Sequence, residues 1–279
     1  MNDPNVFEIL NRHGLSTAKS LGQNFLKSGA VLESIAEAAL PADGILEIGA
    51  GIGSLTGLLC QGAKKVVTVE IDRKLEPLLS EQVPYDDHRF LWQDILKTDL
   101  PATIDAEFGK PAVIVGNLPY YITTEILLLL LKNIDCWESA VLMVQQEVAE
   151  RLLCGPGSKD YRAASVWVQG LCEGEYLFEV PPHCFHPAPR VHSAVIRLRP
   201  RKDRPDAKGF IAFAQAAFAA RRKMFASSAA VQGLLHTDKA GLLSLLEQAD
   251  LPATARAEAF SVEEFLQLFN LAQNMKNKK

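Results

Sequence analysis

The feature that most constrains the fold is a glycine-rich turn that directly follows a short apolar segment at positions 44–56. The letters read GILEIGAGIGSLT, in which the first residues are typical of a buried strand and the last ones begin a helix. Glycine adopts positive φ angles readily and lets a backbone approach a ligand closely. Ligands of open α/β sheets bind beyond the carboxyl ends of the strands. The turn therefore predicts a parallel sheet with a ligand site at that edge, although a tight turn without a ligand would share its sequence.

The spacing of the glycines favours a nucleoside ligand over a dinucleotide. Gly49, Gly51 and Gly53 form G-x-G-x-G, whereas the dinucleotide fingerprint G-x-G-x-x-G needs its third glycine one residue later. Glu70 ends the next apolar run, VTVE, where a carboxylate can accept both hydroxyls of a ribose. Asp94, in QDIL, can accept from the exocyclic amine of an adenine. Either carboxylate alone could merely cap a helix, but three such features at successive strand ends indicate a cofactor site.

The order of the remaining segments predicts the fold class. Short apolar runs alternate with helical patterns, which favours an α/β fold with a doubly wound parallel sheet. The runs EYLFEVPP and SAVIRLRP lack an intervening helix and predict an antiparallel edge. The chain beyond residue 205 is helical by its pattern. We therefore predict a Rossmann-like domain at 1–205 and a small all-α domain at 206–279.

Charge is distributed unevenly along the chain. The net charge is −4, yet residues 1–180 carry 14 Lys and Arg against 25 Asp and Glu, while residues 181–279 carry 15 against 8. Ten of the basic residues lie between Arg190 and Lys223. A basic region on an acidic protein is typical of a phosphate-binding surface. A solvated face of a helical segment is the alternative that charge alone leaves open.

Membrane and metal partners are not expected. The start of the chain does not have the pattern of a secretory signal, and the apolar run at 126–131 is far shorter than the ~20 residues that span a bilayer. None of the five cysteines forms a C-x-x-C pair, a spacing common in metal sites. We predict a cytoplasmic protein that needs no metal.

A third motif identifies the chemistry. Residues 115–123 read VGNLPYYIT, and N-L-P-Y after an apolar strand resembles the N/D/S-P-P-Y/F motif of enzymes that methylate exocyclic amines of bases. With SLGQNFL at 20–26 and FHPAPRVHSAV at 185–195, the chain resembles the ribosomal RNA adenine dimethylase family over roughly residues 15–225. This resemblance implies the Rossmann-like fold of class I methyltransferases, and S-adenosyl-L-methionine as the cofactor.

The residue types of this motif suit an amine that is a poor nucleophile. The side-chain carbonyl of Asn117 and the backbone carbonyl of Leu118 can accept both N–H bonds of the adenine amine, which frees the nitrogen lone pair. Pro119 fixes the turn and removes a competing donor. Tyr120 can stack on a base that has left its helix. The remaining task is to place the nitrogen in line with the methyl–sulfonium bond.

The resemblance implies further roles and a substrate. Phe185 would be the second aromatic against the target adenine, with plain packing between the edge strands as the alternative, and Glu47 would reach the methionine amine through water. The implied cofactor shell comprises Asn24, Leu26, Gly49, Glu70, Asp94 and Asn117. The implied reaction converts two adjacent adenosines in a 3′-terminal hairpin of 16S ribosomal RNA to N6,N6-dimethyladenosine. The expected partner is the immature 30S subunit, and the expected state is a monomer.

Three alternatives remain at this point. The related methylases that confer macrolide resistance on the large subunit share N-L-P-Y motifs but are strongly basic throughout, unlike this chain. An assembly factor that binds immature small subunits could keep the same motifs with catalysis secondary. A small-molecule methyltransferase would explain neither 117–120 nor the basic region. The chain departs from the family pattern at DYRAAS (160–165) and at RRKMFASSAA (221–230), neither of which touches the cofactor motifs. Because of the second departure, RNA contacts in that segment are predicted only for Arg221, Arg222 and Lys223.

Overall fold

The computed structural model describes residues 3–15, 23–220 and 223–276. Its strands are β1 Phe25–Leu26, β2 Ile45–Ile48, β3 Val66–Glu70, β4 His88–Trp92, β5 Ala112–Asn117, β6 Trp137–Gln145, β7 Cys172–Val180, β8 Phe185–His186 and β9 Ser193–Pro200. Its helices are α1 Val6–Arg12, α2 Gly29–Ala39, α3 Ser54–Gly62, α4 Glu76–Gln82, α5 Leu100–Phe108, α6 Thr123–Lys132, α7 Gln146–Leu153, α8 Ala163–Leu171, α9 Ala207–Phe218, α10 Ala229–Leu235, α11 Lys239–Gln248 and α12 Val262–Lys276.

A seven-stranded sheet organises the first part of the molecule. Its strand order is β4-β3-β2-β5-β6-β9-β7. The pairs β2–β3, β2–β5, β3–β4 and β5–β6 are parallel, whereas β9 runs antiparallel to β6. The predicted doubly wound parallel sheet with an antiparallel edge is therefore confirmed. The order reverses between β2 and β5, which is where folds of this type bind ligands.

The central strands are buried on both faces because helices cover them. Every residue of β2 and β3 is buried, while the edge strand β4 has one exposed and four half-buried residues. One hydrophobic cluster joins α2 and α3 to the sheet through Leu32, Ile35, Leu59 and Val115, among others. Continuous apolar strands of this kind are typical of parallel sheets covered by helices. This packing fixes the strand ends that carry the predicted site residues.

A second sheet of two short strands was not predicted. β1 pairs antiparallel with β8, so that Phe25 lies opposite His186 and Leu26 opposite Phe185. The backbone amide of Lys27 also donates to the carbonyl of Cys184 at 2.8 Å. Two residues per strand are too few to produce a periodic pattern, and Pro residues around β8 indicated only a loop. The pairing brings Phe25 and Leu26, which end GQNFL, together with Phe185 and His186, which begin FHPAPRVHSAV.

The chain divides into two compact units. The first comprises 1–149 and 175–200, and the second comprises 150–174 and 201–279. The second unit thus contains α8, which precedes the predicted boundary in the sequence. The assignment of 1–205 and 206–279 as functional domains stays a prediction.

The second unit has an aromatic core of its own. Phe210, Phe213, Phe225, Phe260 and Phe265 are almost completely buried, and the rings of Phe213 and Phe265 meet edge to face with centroids 6.4 Å apart. Aromatic side chains of this size bury enough apolar area to stabilise a small helical unit. Within the described ranges, every helix is too short or too polar to cross a membrane.

Candidate active site

A cavity opens at the carboxyl ends of β2, β3 and β5, where the strand order reverses. Open α/β sheets bind ligands at this switch point, because helices on opposite faces diverge there. The cavity lining includes all six residues predicted to form the cofactor shell, namely Asn24, Leu26, Gly49, Glu70, Asp94 and Asn117. The structure therefore brings together residues that lie up to 93 positions apart in the sequence.

The glycine turn leaves space for a ligand. Gly49, at the end of β2, has φ +80°, and a Cβ atom built on it would have no atom within 4 Å. The side chain that glycine lacks would therefore project into the cavity. Gly53 serves the fold instead, since its φ is +83° and a Cβ there would approach Leu79 and Val83 at 2.9 Å each. The first glycine of the motif faces the ligand space and the last one packs against α4.

Glu70 presents a buried carboxylate to the cavity from the end of β3. Its Oε1 accepts from the Asp72 amide at 2.8 Å and its Oε2 from the Gly51 amide at 3.4 Å. Burial raises the Glu70 pKa, and these backbone hydrogen bonds oppose that effect. A carboxylate held by two amides in a partly desolvated site is a strong acceptor for ribose hydroxyls. The geometry fits the sugar of a nucleoside cofactor.

Asp94 caps a short helix as well as lining the cavity. Its Oδ1 accepts from the Leu96 amide at 2.9 Å and so begins the 3₁₀ turn at Ile95–Lys97. The capping role that any strand-end carboxylate can have is thus present here. The cap uses Oδ1, and the residue still lines the cavity beside Gln93. Capping therefore orients the carboxylate that is predicted to meet adenine.

Glu47 lies beneath the glycine turn and is completely buried. Its Oε2 accepts from the hydroxyls of Thr56 at 2.7 Å and Thr68 at 2.8 Å. Among the described residues, Oε1 has no hydrogen-bond partner. Burial raises the pKa of Glu47 to about 7, against the effect of the two threonine hydroxyls. Its carboxyl group faces these threonines, and its predicted water-mediated contact with the cofactor stays a prediction.

Asn117 ends β5, and its side chain is held by Asn24, a residue 93 positions earlier in the sequence. Its Nδ2 donates to the backbone carbonyl of Asn24 at 3.2 Å. A carbonyl can only accept, so the amide nitrogen must face Asn24 and Oδ1 must point elsewhere. Leu118 is anchored in turn by its amide, which donates to the Met143 carbonyl at 3.0 Å. Both predicted acceptors of the amine protons thus sit on a fixed backbone at the cavity wall.

Tyr120 lines the cavity beside Asn117, and its hydroxyl is engaged. The Oη atom lies 2.6 Å from Oγ of Ser193, the first residue of β9. The next residue, Tyr121, also lines the cavity and is 56% exposed. The NLPYY segment therefore places one half-buried and one exposed aromatic ring at the mouth of the site.

Phe185 is not brought to the cavity. It is 2% exposed and packs in the hydrophobic cluster with Leu26, Met143 and Val195. Its backbone pairs with Leu26 in the short β1–β8 sheet. The predicted role as second aromatic against the adenine would need the ring to leave this cluster. That role stays a prediction.

Three large side chains at the cavity wall, Ile71, Leu96 and Tyr121, were not predicted from the sequence. Ile71 and Leu96 are 53% and 36% exposed, and with Tyr121 they belong to the few large hydrophobic residues left at the surface. Ile71 follows Glu70 directly, and Leu96 follows Asp94 by two positions. A large apolar residue next to a predicted strand-end carboxylate is the signal that could have identified them. Their exposed faces fit the flat apolar surface of an adenine ring.

The basic residues between Arg190 and Lys223 do not all have the role in phosphate binding that their number suggested. Arg197 donates to Glu175 at 3.1 Å and to the carbonyl of Ala38 at 3.1 Å, and only 18% of its side chain is exposed. Arg199 lies 3.7 Å from the same glutamate. Arg197 therefore serves the fold rather than a phosphate. Arg221 and Arg222, for which RNA contacts were predicted, lie outside the described residues.

Comparison with known proteins decides the family. The family model named ribosomal RNA adenine dimethylase matches residues 14–274. The chain belongs to this family. Relatives of the family include the ribosomal RNA small subunit methyltransferase A of Lachnoclostridium phytofermentans, 39% identical over 281 residues that cover 97% of each chain. The protein of the same name from Shouchella clausii is 42% identical over 270 residues, covering 93% of this chain and 91% of that one.

Two solved structures support the same conclusion. A dimethyladenosine transferase from Plasmodium falciparum superposes with a TM-score of 0.77 at 26% identity, covering 89% of this chain and 98% of that one. The 23S rRNA methyltransferase ErmE superposes with a TM-score of 0.66 at 25% identity, covering 90% and 100%. The fold is thus the Rossmann-like class I methyltransferase fold that was predicted for this family.

Proposed function

We propose that this chain transfers methyl groups from S-adenosyl-L-methionine to N6 of adenines in small-subunit ribosomal RNA. The observation that carries the proposal is the position of Asn117. It stands at the end of β5 with its amide nitrogen turned to Asn24, in the same cavity as the carboxylate of Glu70. The cavity thus combines a fixed acceptor for an amine with a site suited to a nucleoside. Family membership and the names of the relatives support this assignment.

The residues present fit the cofactor. The open space in front of Gly49 accommodates the part of a ligand that crosses the glycine turn. Glu70 offers its carboxylate to the ribose hydroxyls, and Asp94 with Ile71 and Leu96 offers a polar edge and apolar faces to adenine. Asn24 and Leu26 complete the shell. When bound, S-adenosyl-L-methionine supplies a methyl group on a sulfonium centre.

The protein activates the amine by accepting hydrogen bonds from its N–H groups. In the first transfer, Oδ1 of Asn117 and the carbonyl of Leu118 are the proposed acceptors from the two N6–H groups, which concentrates the lone pair on nitrogen; in the second transfer, the one N–H that remains bonds to one of them. With the cofactor bound, the nitrogen would take the methyl group from the sulfonium centre as the C–S bond breaks, and the surplus proton would leave from nitrogen to solvent. Because a preorganised dipole acts only where charge develops, a strongly basic side chain is unnecessary. Tyr120 holds the ring of the flipped base by stacking.

We propose that the substrates are two adjacent adenosines of a 3′-terminal hairpin in 16S rRNA, within the immature 30S subunit. The products are N6,N6-dimethyladenosines, and the reaction accompanies small-subunit biogenesis. The protein acts in the cytoplasm as a monomer, without a metal.

A methylation assay tests the proposal. Purified protein is incubated with immature small subunits and cofactor labelled in the methyl group, and the RNA is digested to nucleosides. N6-methyl- and N6,N6-dimethyladenosine are expected, with primer extension stopping at the modified hairpin. Mature large subunits serve as the control substrate, because the fold is shared with ErmE, a 23S enzyme. Label in large-subunit RNA alone would contradict the proposal, as would subunits that stay unmethylated by the wild type.

A further inference from the structure

The hydroxyl of Tyr120 is hydrogen-bonded to a buried residue that lies outside the NLPY motif, and this contact is called the anchor below. Oη of Tyr120 and Oγ of Ser193 are 2.6 Å apart, a short distance even for two hydroxyls. Ser193 is completely buried, whereas Tyr120 is half-buried and lines the cavity. The tyrosine ring therefore spans from the cavity to a fixed point inside the sheet.

The antiparallel edge explains why a serine of β9 reaches this place. Because β9 runs against β6, its first residue lies at the edge where the parallel strands end. Ser193 pairs with Gln145, the last residue of β6, and Asn117, the last residue of β5, pairs with Met143. Ladder hydrogen bonds hold the backbone of Ser193, so its hydroxyl is a rigid reference point beside the NLPY turn.

A free tyrosine ring can rotate about two side-chain bonds, and a half-exposed one has room to do so. Ordering such a side chain as the bound substrate reaches its reacting geometry costs conformational freedom, and an anchor present beforehand removes that cost from the chemical step. We propose that Ser193 is a positioning residue of the methylation site, which holds the Tyr120 ring in the orientation that stacks on the acceptor adenine. This proposal rests on the proposed function.

The anchor changes what is expected of Tyr120→Phe. Stacking as such needs only the ring, so the motif alone predicts full activity for phenylalanine. With the anchor, phenylalanine keeps the stacking area but loses the bond that fixes the ring. Tyr120→Phe and Ser193→Ala remove the same interaction from its two ends and should have the same effect on the reaction.

A double-mutant cycle in kinetics tests the proposal. Wild type, Tyr120→Phe, Ser193→Ala and the double variant are assayed on immature small subunits. Each single variant should lower kcat by roughly three- to tenfold, the range of one hydrogen bond. The double variant should be no slower than the single ones, since the interaction is already lost. The KM for the subunit and the calorimetric Kd for S-adenosyl-L-methionine should stay within about twofold of wild type.

A matched control separates positioning from general stability. Ser165 is an equally buried serine of the second unit, and its hydroxyl accepts from the Arg162 amide at 3.1 Å. Ser165→Ala should lower the thermal midpoint without changing kcat at 25 °C. A wild-type kcat in Ser193→Ala, or multiplicative losses in the double variant, would overturn the positioning role while leaving the methylation activity standing. A wild type that makes no methyladenosine would overturn the proposed function and this role with it.

Discussion

The two sides of the cavity are held in different ways. On the cofactor side, the shortest contacts are with backbone groups close in sequence: Glu70 and Asp94 each accept from the amide two residues later, and Glu70 has a longer contact with the Gly51 amide, 19 residues earlier. On the acceptor side, the contacts are distant, since Asn117 binds a carbonyl 93 residues away and Tyr120 a hydroxyl 73 residues away. Local contacts form with the strand end itself. Distant contacts exist only after the whole unit has folded, so the acceptor side depends on the tertiary structure.

The largest expected effect is on the acceptor side. Asn117→Ala should lower kcat about 10²–10³-fold, because it removes one preorganised acceptor of the amine protons. Cofactor affinity should change much less than the rate, since Asn117 is one of six residues predicted for the cofactor shell and Glu70 and Asp94 keep their own backbone partners. Single-turnover assays on immature subunits and calorimetric titration measure the two quantities. An unchanged rate would remove Asn117 from the mechanism, and a lost cofactor affinity would show that the two sides are not separable.

The buried carboxyl group under the cofactor side should govern part of the pH dependence of stability. The folded-state pKa of Glu47 is about 7, against 4.5 for the ordinary group. Its contribution to the free energy of unfolding therefore falls as pH rises from about 4.5 to 7 and stays low above that. Glu47→Gln cannot ionise and should be more stable than wild type above pH 7, by on the order of 3 kcal/mol.

Urea unfolding of both proteins at several pH values checks this expectation. The two should have similar stability near pH 4, because glutamine resembles the protonated acid and its carbonyl can accept from Thr56 and Thr68. Their difference should grow only between about pH 4.5 and 7. A stability difference that does not change with pH would mean that the pKa of Glu47 is the same in the folded and the unfolded protein.

Glu70→Ala should weaken the binding of S-adenosyl-L-methionine about ten- to a hundredfold. The carboxylate is the expected partner of the ribose hydroxyls, and one hydrogen bond to a charged group contributes about 1.5–3 kcal/mol. Glu70→Gln, which keeps the shape, is the matched control and should lose less. Calorimetric titration gives both dissociation constants. Equal affinity of wild type and Glu70→Ala would show that Glu70 does not bind the ribose. It would also contradict the view that residues held by contacts close in sequence bind the cofactor.

The smallest expected effect concerns the basic segment between Arg190 and Lys223. Charge reversal at Arg221 and Arg222 should weaken RNA binding and reduce the log–log salt slope by roughly one unit for each lost phosphate contact. Arg197→Gln is an informative control, since Arg197 is committed to Glu175 and to the carbonyl of Ala38. It should affect stability and leave the salt slope unchanged. An unchanged slope after the reversals would limit the RNA surface to other residues.

Much of the cofactor side could be predicted from the sequence, because strand, turn and carboxylate succeed each other within a few residues. The same local order predicted the parallel sheet and the antiparallel edge. Asn117, Leu118 and Tyr120, which were selected from the sequence, lie in one turn that lines the cavity, and their roles stay predictions. It did not reveal the apolar wall formed by Ile71 and Leu96, since exposure of a side chain depends on what packs over it.

The succession of strands and helices along the chain, the glycine turn and the nature of the NLPY motif are thus determined by the sequence itself, since each rests on a pattern within one segment. The tertiary structure alone decided three other features. It turned the amide of Asn117 toward Asn24, it joined Tyr120 to Ser193, and it placed Phe185 in the core. Each depends on segments distant in the sequence: β1 and β8, which pair with each other, and β9, which is a strand of the seven-stranded sheet. Such contacts leave no periodic pattern in the sequence, because only one or two residues of each segment take part in them.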